Sequence, residues 1–284
     1  MAESPFNMGK FSRPSSSRPR QDARQLPQRP AAGAQPPSGL RISCRATNPL
    51  SLQDDLGKVF LDENQAKATT ATRLFRNDEL FAATKMVVGD FVNNNRPGKF
   101  SMWSTGCSSG EEVYSMAMIA MAEFERLKRS SMLEAFGTDI NANRIAEGRA
   151  GVYGRPSKDA FDANYWRLLN IYATLSGSEV HMGDKLRQAC KFTMFDMRNK
   201  PKKHTFNFIV CNHVLQYYDG PGQRHIIGNL KAVLKPNGFL YLEGVTEHGL
   251  DGLGLKKLPG KSNMYVVEAA AAGGLSSPLF KRQL

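Results

Sequence analysis

The sequence lacks the features that mark membrane-spanning and secreted proteins. Its 284 residues contain no apolar run of the roughly 18 residues that a transmembrane helix needs. The N-terminus has no apolar stretch followed by a small-residue cleavage site, so a secretory signal is not indicated. We therefore expect a cytoplasmic protein.

Cysteine is scarce, and its four occurrences are scattered. Cys44, Cys107, Cys190 and Cys211 form no C-x-x-C pair, which excludes a disulfide framework or a zinc site of the usual spacing. The nearest approach to a metal pair is Cys211 with His213, and chance explains that spacing better than ligation does. We expect no bound metal.

Apolar periodicity is missing from the first 45 residues, which are rich in Pro, Ser and Gln. Eight Lys and Arg residues stand there against two acids, a net of +6 and half of the chain's +12. Such a segment cannot bury enough surface to offset its ordering entropy, so residues 1–45 are predicted to be a disordered basic tail. It can contact an anionic surface, nucleic acid or an acidic protein, or it can be a solvated tail without a partner.

The rest of the chain has the pattern of a folded α/β domain. Residues 46–97 are predicted to be a helical region, and residues 98–270 alternate strands with helices. A stretch at about 155–195 breaks this alternation and predicts an inserted subdomain with short strands. The helix in PGQRHIIGNLKAVLKPNG is expected to close at its Pro and Gly, and FLYLEGVTE to be a strand. The alternation predicts a mostly parallel sheet covered by helices on both faces, followed by a C-terminal tail at 271–284.

One turn predicts the ligand. WSTGCSSGEEVYSM places Gly106 and Gly110 between a predicted strand and a predicted helix, where open α/β sheets bind ligands. No P-loop lysine follows, and Glu111 and Glu112 would repel a pyrophosphate. The acids suit a cationic group, and Asp139 at the end of the next strand suits a ribose. An amino acid joined to a nucleoside through a positive charge is S-adenosylmethionine.

Six segments in order resemble one family. FRND, WSTGCSSGEEVYSMAM, GTDINANRIAEGRAGVYG, FNFIVCNHVLQYYD, GQRHIIGNLKAVLKPNGFLYL and GVTE are similar to the CheR family of chemotaxis methyltransferases, over roughly 70–268. The resemblance implies a Rossmann-like class I methyltransferase domain with an inserted antiparallel β-subdomain and a short N-terminal helical region. It also implies methyl transfer from S-adenosylmethionine to glutamate side chains of a chemoreceptor-type helical bundle, by a monomeric enzyme.

The resemblance also implies site residues. TTATRLFR is similar to the family's cofactor-contacting stretch and contributes Thr70, Thr72 and Arg76, although the family has Asn where Thr70 stands. The acidic cofactor contacts match Glu111, Glu112 and Asp139. Asp196 and Met197 match the adenine side. Tyr217 matches the active-site tyrosine, and Arg76 and Tyr217 are expected to handle the acceptor carboxylate.

Two motifs depart from the family pattern. Cys211–Val214 reads CNHV where the family usually reads CRNV, so Asn212 replaces an arginine and His213 an asparagine at the cofactor site. Val245 follows Gly244 where the family has histidine. Two alternatives therefore stay open: a methyltransferase of the same fold with another protein, a small molecule or RNA as acceptor, and a non-catalytic sensor or scaffold that binds S-adenosylmethionine.

Overall fold

The computed structural model describes residues 72–129, 132–201 and 205–268. The basic tail at 1–45, the part of the predicted helical region before residue 72, which includes Thr70, and the C-terminal tail lie outside these residues. No helix within the described ranges is long and apolar enough to cross a membrane.

Within the described residues, ten strands form two sheets. The strands are β1 Phe100–Thr105, β2 Leu133–Asp139, β3 Val152–Gly154, β4 Ala173–Ser176, β5 Glu179–Met182, β6 Cys190–Met194, β7 Phe206–Cys211, β8 Leu234–Leu242, β9 Leu255–Lys257 and β10 Met264–Val267. Seven of them make the main sheet in the order β6-β2-β1-β7-β8-β10-β9. The first five are parallel, and β10 runs antiparallel to both β8 and β9. This sheet confirms the predicted α/β class.

Seven helices in the same part of the chain accompany the strands. They are α1 Asp78–Asn93, α2 Glu111–Arg126, α3 Ala142–Ala150, α4 Ala163–Tyr172, α5 Asp184–Ala189, α6 Gly220–Lys231 and α7 Glu247–Leu250. Side chains of the preceding loops begin several of them: Asn77 accepts from the Leu80 amide at α1, and Asn141 accepts from the Asn143 and Arg144 amides at α3. Asn141 is therefore the N-cap of α3.

Alternate residues of the central strand β7 pack on opposite faces of the main sheet. Phe208 and Val210 join the core formed with α1 and α2, while Ile209 and Cys211 join the core formed with α6. All four side chains are fully buried. Burying a side chain of this size stabilises the fold by about 1.5–3 kcal/mol, so β7 is anchored from both sides.

The inserted subdomain is smaller than the sequence predicts. Strands β3, β5 and β4 pair in that order in an antiparallel sheet, and the chain between β3 and β4 includes α4. The stretch CKFTM, expected in the insertion, forms β6 and pairs in parallel with β2 in the main sheet. The insertion therefore ends before β6.

Three local predictions differ from the structure. Helix α6 ends at Lys231, and the Pro-Asn-Gly signal at 236–238 lies inside β8, next to a register shift against β7. The sheet accepts this break because Asn237 takes a left-handed conformation with φ 58°. GVTE is not a strand, because Thr246 caps the short helix α7. Residues 72–77 form a loop rather than part of a helix.

Candidate functional site

The carboxyl ends of β1, β2 and β7 meet at the point where the chain direction across the sheet reverses. From β1 the chain moves to β2 and then β6 on one side, and it returns to β7 on the other side of β1. Open α/β sheets bind ligands in the crevice at such a point. The ends of these three strands, the loops that follow them and the start of α2 contain most of the predicted site residues.

The turn after β1 depends on its two glycines. Gly106 has φ 66° and Gly110 has φ 91°, conformations that other residues rarely adopt. A Cβ on Gly106 would lie 2.5 Å from Cγ2 of Val214, and one on Gly110 would lie 2.5 Å from the Phe192 ring. Both positions therefore require glycine, and the turn delivers the chain directly into α2, whose N-terminus is electropositive.

Asp139 fastens this turn to the end of β2. Its carboxylate accepts hydrogen bonds from the Ser108 amide at 2.9 Å and from the Asn141 amide at 2.8 Å. The amides of Cys107 and Gly110 are also bonded within the protein, to the carbonyls of Thr138 and Cys107. The turn is thus held rigid by its own amides, and the remaining lone pairs of the Asp139 carboxylate can accept further donors.

Glu112 and Asn212 form the inner wall of the site. The carboxylate of Glu112 accepts from Ser104 Oγ and from Asn212 Nδ2, each at 2.7 Å. Burial raises the pKa of Glu112 above its ordinary value, although these bonds oppose the shift. The Oδ1 atom of Asn212 is buried and accepts no hydrogen bond within the protein. A buried acceptor without a partner is costly, so this atom points to a ligand that donates to it.

Glu111 lies apart from this pair. Its carboxylate accepts from Ser109 Oγ at 2.9 Å, and the hydroxyl of Tyr153 in β3 donates to the Ser109 carbonyl at 2.6 Å. Burial raises the pKa of Glu111 as well. Of the two predicted acids, Glu112 lies against the loop after β7, and Glu111 supports the turn from the side of the small sheet.

His213 continues the wall beyond Asn212. It holds a left-handed backbone conformation with φ 56°, and its Nδ1 lies 3.4 Å from Oε1 of Glu243, the residue that follows β8. The other oxygen of Glu243 accepts from Asn77 Nδ2 at 3.3 Å. Sequence reasoning missed Glu243, and the available signal was an acid directly after a buried strand.

Arg76 lies in the loop before α1, next to Asn77, which donates to Glu243. Leu74 and Phe75 are buried, and the Phe75 amide donates to Ser115 Oγ of α2 at 3.0 Å. The Phe75 ring stacks on Tyr165 of α4, with centroids 4.6 Å apart and planes at 12°. Arg76 is exposed on this anchored loop, next to Asn77, and Thr72 begins the described part of the loop. The predicted partner Thr70 lies outside the described residues.

Met197 and Asp196 occupy different environments. Met197 is buried beside Gly106, and its sulfur accepts from Thr105 Oγ1 at 3.7 Å. The Asp196 carboxylate binds the Arg198 guanidinium, with Nη2 to Oδ2 at 2.6 Å. Burial acts to raise the pKa of Asp196, but its bonds with Arg198 outweigh burial and lower it overall. Met197 therefore contacts the turn, whereas the Asp196 carboxylate is held by Arg198.

Tyr217 lies in a single 3-10 turn, Leu215–Tyr217, that follows β7. Its hydroxyl accepts from Gln216 Nε2 at 2.9 Å, which leaves the hydroxyl proton available for donation.

Two exposed apolar residues that the sequence analysis did not single out lie at the same edge of the sheet. Ile140 follows Asp139 and is 55% exposed, and Met194 ends β6 and is 61% exposed.

Known proteins resemble this chain in sequence. The sequence model described as "CheR methyltransferase, SAM binding domain" matches residues 70–250. The chain is 29% identical over 195 residues to the chemotaxis protein methyltransferase Cher2 of Pseudomonas putida, covering 66% of this chain and 69% of that protein. It is 27% identical over 184 residues to chemotaxis protein methyltransferase 2 of Vibrio cholerae, covering 62% of each.

Two further matches are less extensive: one covers a small part of the other protein, and one is a solved structure with a low TM-score. An uncharacterized 104.1 kDa protein of Rhodobacter capsulatus is 25% identical over 61% of this chain, which spans only 18% of that protein. Among solved structures, magnesium protoporphyrin IX methyltransferase from Synechocystis with bound SAH is 13% identical, with a TM-score of 0.34 over 63% of this chain and 64% of that one. Because the family match covers more than half of the 284 residues, the chain belongs to the family of CheR methyltransferases and carries its S-adenosylmethionine-binding domain.

Proposed function

We propose that this protein transfers a methyl group from S-adenosylmethionine to glutamate side chains of a chemoreceptor-type protein. The observation that carries the cofactor half of the proposal is the buried Asn212 Oδ1, which accepts no hydrogen bond within the protein and lies beside the Glu112 carboxylate. An ammonium group donates to both kinds of oxygen, and the amino acid part of S-adenosylmethionine carries one.

The other parts of the cofactor have matching groups around the same crevice. The electropositive start of α2 suits the carboxylate of the amino acid part. Asp139 keeps acceptor capacity for ribose hydroxyls after it has bonded two backbone amides. Ile140, Met194 and Met197 supply apolar surface next to Asp139 and Gly106, which suits an adenine ring. The residues present therefore fit the cofactor.

The acceptor half rests on Arg76 and Tyr217. A glutamate carboxylate is ionised at neutral pH because its ordinary pKa is about 4.3, so no base is needed to create the nucleophile. When bound, S-adenosylmethionine supplies a methyl carbon on a sulfonium sulfur, and the acceptor oxygen bonds that carbon while the sulfur keeps the electron pair. The task of this chain is to orient the carboxylate and exclude water. Arg76 offers a charge-assisted fork, and Tyr217 offers one hydroxyl donor.

The comparisons support the choice of acceptor. Two of the similar proteins are named chemotaxis protein methyltransferases, and their matches cover about two thirds of each. These names motivate a chemoreceptor-type helical bundle as the protein substrate here.

The test is labelled methyl transfer to chemoreceptor fragments, followed by alkali. A carboxyl methyl ester releases volatile methanol in mild base, whereas N-methyl and ether products are stable. We expect base-labile counts that fall about 10- to 100-fold in Arg76→Ala and about 3- to 10-fold in Tyr217→Phe, which correspond to one charged and one neutral hydrogen bond. Arg73→Ala changes an exposed arginine of the same loop and should leave transfer unchanged. Base-stable counts would contradict the carboxylate acceptor.

The departure at Asn212 and His213 favours a second candidate, a sensor or scaffold that binds S-adenosylmethionine without transferring its methyl group. The Asn212 side chain donates to Glu112 and is uncharged, so it supplies no positive charge for an acceptor carboxylate. Cofactor binding by calorimetry, with no labelled transfer to any receptor fragment, would favour this candidate over the enzyme.

A further inference from the structure

His213 and Glu243 form a pair, and His213 lies four residues before Tyr217 in the loop after β7. The imidazole Nδ1 faces the Glu243 carboxylate at 3.4 Å, and the His213 side chain is 41% exposed while that of Glu243 is 28% exposed. His213 holds its left-handed backbone conformation although it is not glycine. Strain of this kind persists where the surrounding structure fixes it, and it concentrates at functional sites.

The charges around this pair are mostly negative. Glu112 reaches the site from α2, and its carboxylate interacts electrostatically with both His213 and Glu243. Asn77, which donates to Glu243, is neutral and directly follows Arg76 in the loop before α1. An anionic acceptor that enters here meets two carboxylates from two elements, so its binding requires positive charge from this chain.

We propose that protonated His213 supplies part of that charge, so that affinity for an acceptor carboxylate rises as the pH falls through the histidine titration range. This inference rests on the proposed function, because it assumes that the acceptor is an anion. It makes His213 a specificity-determining residue for anionic acceptors and couples methyl transfer to pH.

The sign follows from the charge of the pair. With a neutral imidazole, the pair carries the single negative charge of Glu243 and repels a carboxylate. With a protonated imidazole, the pair is neutral, and the ring side opposite Nδ1 presents an N–H donor. A protonated imidazole therefore favours acceptor binding, and the KM for the acceptor is expected to be lower at pH 6 than at pH 8.

If His213 acted as a general base instead, the pH dependence of methyl transfer would be the opposite. A carboxylate on Nδ1 also orients a histidine for proton abstraction, which an amine or hydroxyl acceptor would need. In that case kcat would rise with pH. Methylation of a carboxylate releases no proton, so the two assignments make opposite predictions for the same pair.

The experiment measures kcat and KM for a helical receptor peptide containing glutamate, with base-labile counts as the signal, between about pH 6 and pH 8. We expect KM to rise about tenfold over this range while kcat changes less than about twofold. His213→Asn should keep a high KM at every pH, since asparagine tolerates the left-handed conformation. Glu243→Gln removes the carboxylate that repels the acceptor and should lower the KM at pH 8.

A binding measurement supports the kinetics without turnover. Calorimetry with the same peptide and the full chain loaded with S-adenosylhomocysteine should show affinity falling about tenfold from pH 6 to pH 8, and no such change in His213→Asn. His248→Asn is the matched control. His248 lies in α7, is 85% exposed and pairs with Asp251, the residue that follows this helix. The His248→Asn variant should show the same fall in peptide affinity from pH 6 to pH 8 as the wild-type protein.

Three outcomes would overturn the inference. A KM that is flat with pH, or that keeps its slope in His213→Asn, removes His213 from acceptor binding while base-labile transfer preserves the proposed function. A kcat that rises with pH and depends on His213 assigns it as a base. Failure of the peptide to bind at any pH, with cofactor binding intact, overturns both proposals.

Discussion

The buried carboxylate of Glu112 lowers the stability of the ligand-free protein, and we propose that it binds the ammonium group of the cofactor. Its carboxylate is enclosed at the end of β1, where burial raises its pKa, so the folded protein binds a proton there more readily than the unfolded chain does. The stability cost is present above the raised folded pKa and disappears as the pH falls below the ordinary value of about 4.5. The same charge is what a cationic ligand group needs.

We predict that Glu112→Gln stabilises the ligand-free protein at neutral pH and weakens cofactor binding. The amide removes the buried charge, and its oxygen can still accept from Asn212. Each kcal/mol gained should raise the Tm by roughly 2–4 °C, and the difference from the wild-type protein should shrink on acidification. Calorimetry should show affinity for S-adenosylhomocysteine reduced about 10- to 100-fold. An unchanged affinity would remove Glu112 from the ammonium site.

Asp139 has a structural task and a proposed ligand task, and a matched variant separates them. Asp139→Ala removes the acceptor of two backbone amides as well as the proposed ribose contact. Asp162→Ala removes an equivalent acceptor of two backbone amides at the start of α4, outside the loops that follow β1, β2 and β7. We expect each to cost about 1 kcal/mol of stability.

Cofactor affinity distinguishes these two variants. It should fall about 10- to 100-fold in Asp139→Ala, the cost of hydrogen bonds to a charged acceptor, and should be unchanged in Asp162→Ala. Isothermal titration of both proteins with S-adenosylmethionine measures the difference. Equal affinities would show that Asp139 only fastens the turn.

Residues beside strand ends were predictable, whereas their partners were not. Position alone was enough to predict Asp139 and Glu112 as site residues. Asp139 ends β2, and Glu112 lies in the first turn of the helix that follows the glycine turn after β1. Glu243 pairs with His213, which lies thirty residues earlier in the chain, and with Asn77, which lies 166 residues earlier. No local pattern encodes a contact between β7, β8 and the loop before α1, so only the folded sheet brings these three side chains together.

At the scale of elements, strand pairing overrides local signals. The Pro-Asn-Gly sequence at 236–238 normally ends a helix or marks a turn, yet it lies inside β8. The strand tolerates it because the register against β7 shifts there, after Phe206 and before Phe208. Similarly, β6 looks like part of the insertion in sequence, and its place at the edge of the main sheet depends on parallel pairing with β2.

The start of α2 provides an element-scale prediction. Gly110→Ala combines a positive φ of 91° with a Cβ 2.5 Å from the Phe192 ring and 3.3 Å from the Gly148 Cα. Gly98→Ala has a similar φ of 79° but no atom within 4 Å of its Cβ. In urea unfolding, we expect Gly98→Ala to cost about 1 kcal/mol, and Gly110→Ala to cost about 1–3 kcal/mol more because of overpacking. Equal costs would mean that Phe192 moves aside freely.

At the scale of the whole molecule, charge is distributed unevenly. Residues 1–45 hold half of the net charge of +12, and no described element of the domain includes them. The order of the motifs along the chain was enough to predict the sheet and its switch point. The same reasoning cannot assign the basic segment a partner, because electrostatic attraction to a polyanion depends on charge density rather than on a defined contact.

This segment yields a prediction that is independent of the methyltransferase site. If it binds a polyanion, binding of the full chain to heparin should weaken steeply between about 50 and 200 mM salt, because released counterions drive such association. A chain in which the eight Lys and Arg residues of 1–45 are replaced by Gln keeps the length and should lose this salt-dependent binding. Its affinity for S-adenosylhomocysteine should equal that of the wild-type chain, since the predicted cofactor residues all lie at 70–213. Heparin binding that is insensitive to salt, or unchanged by the replacements, would contradict a role for this charge.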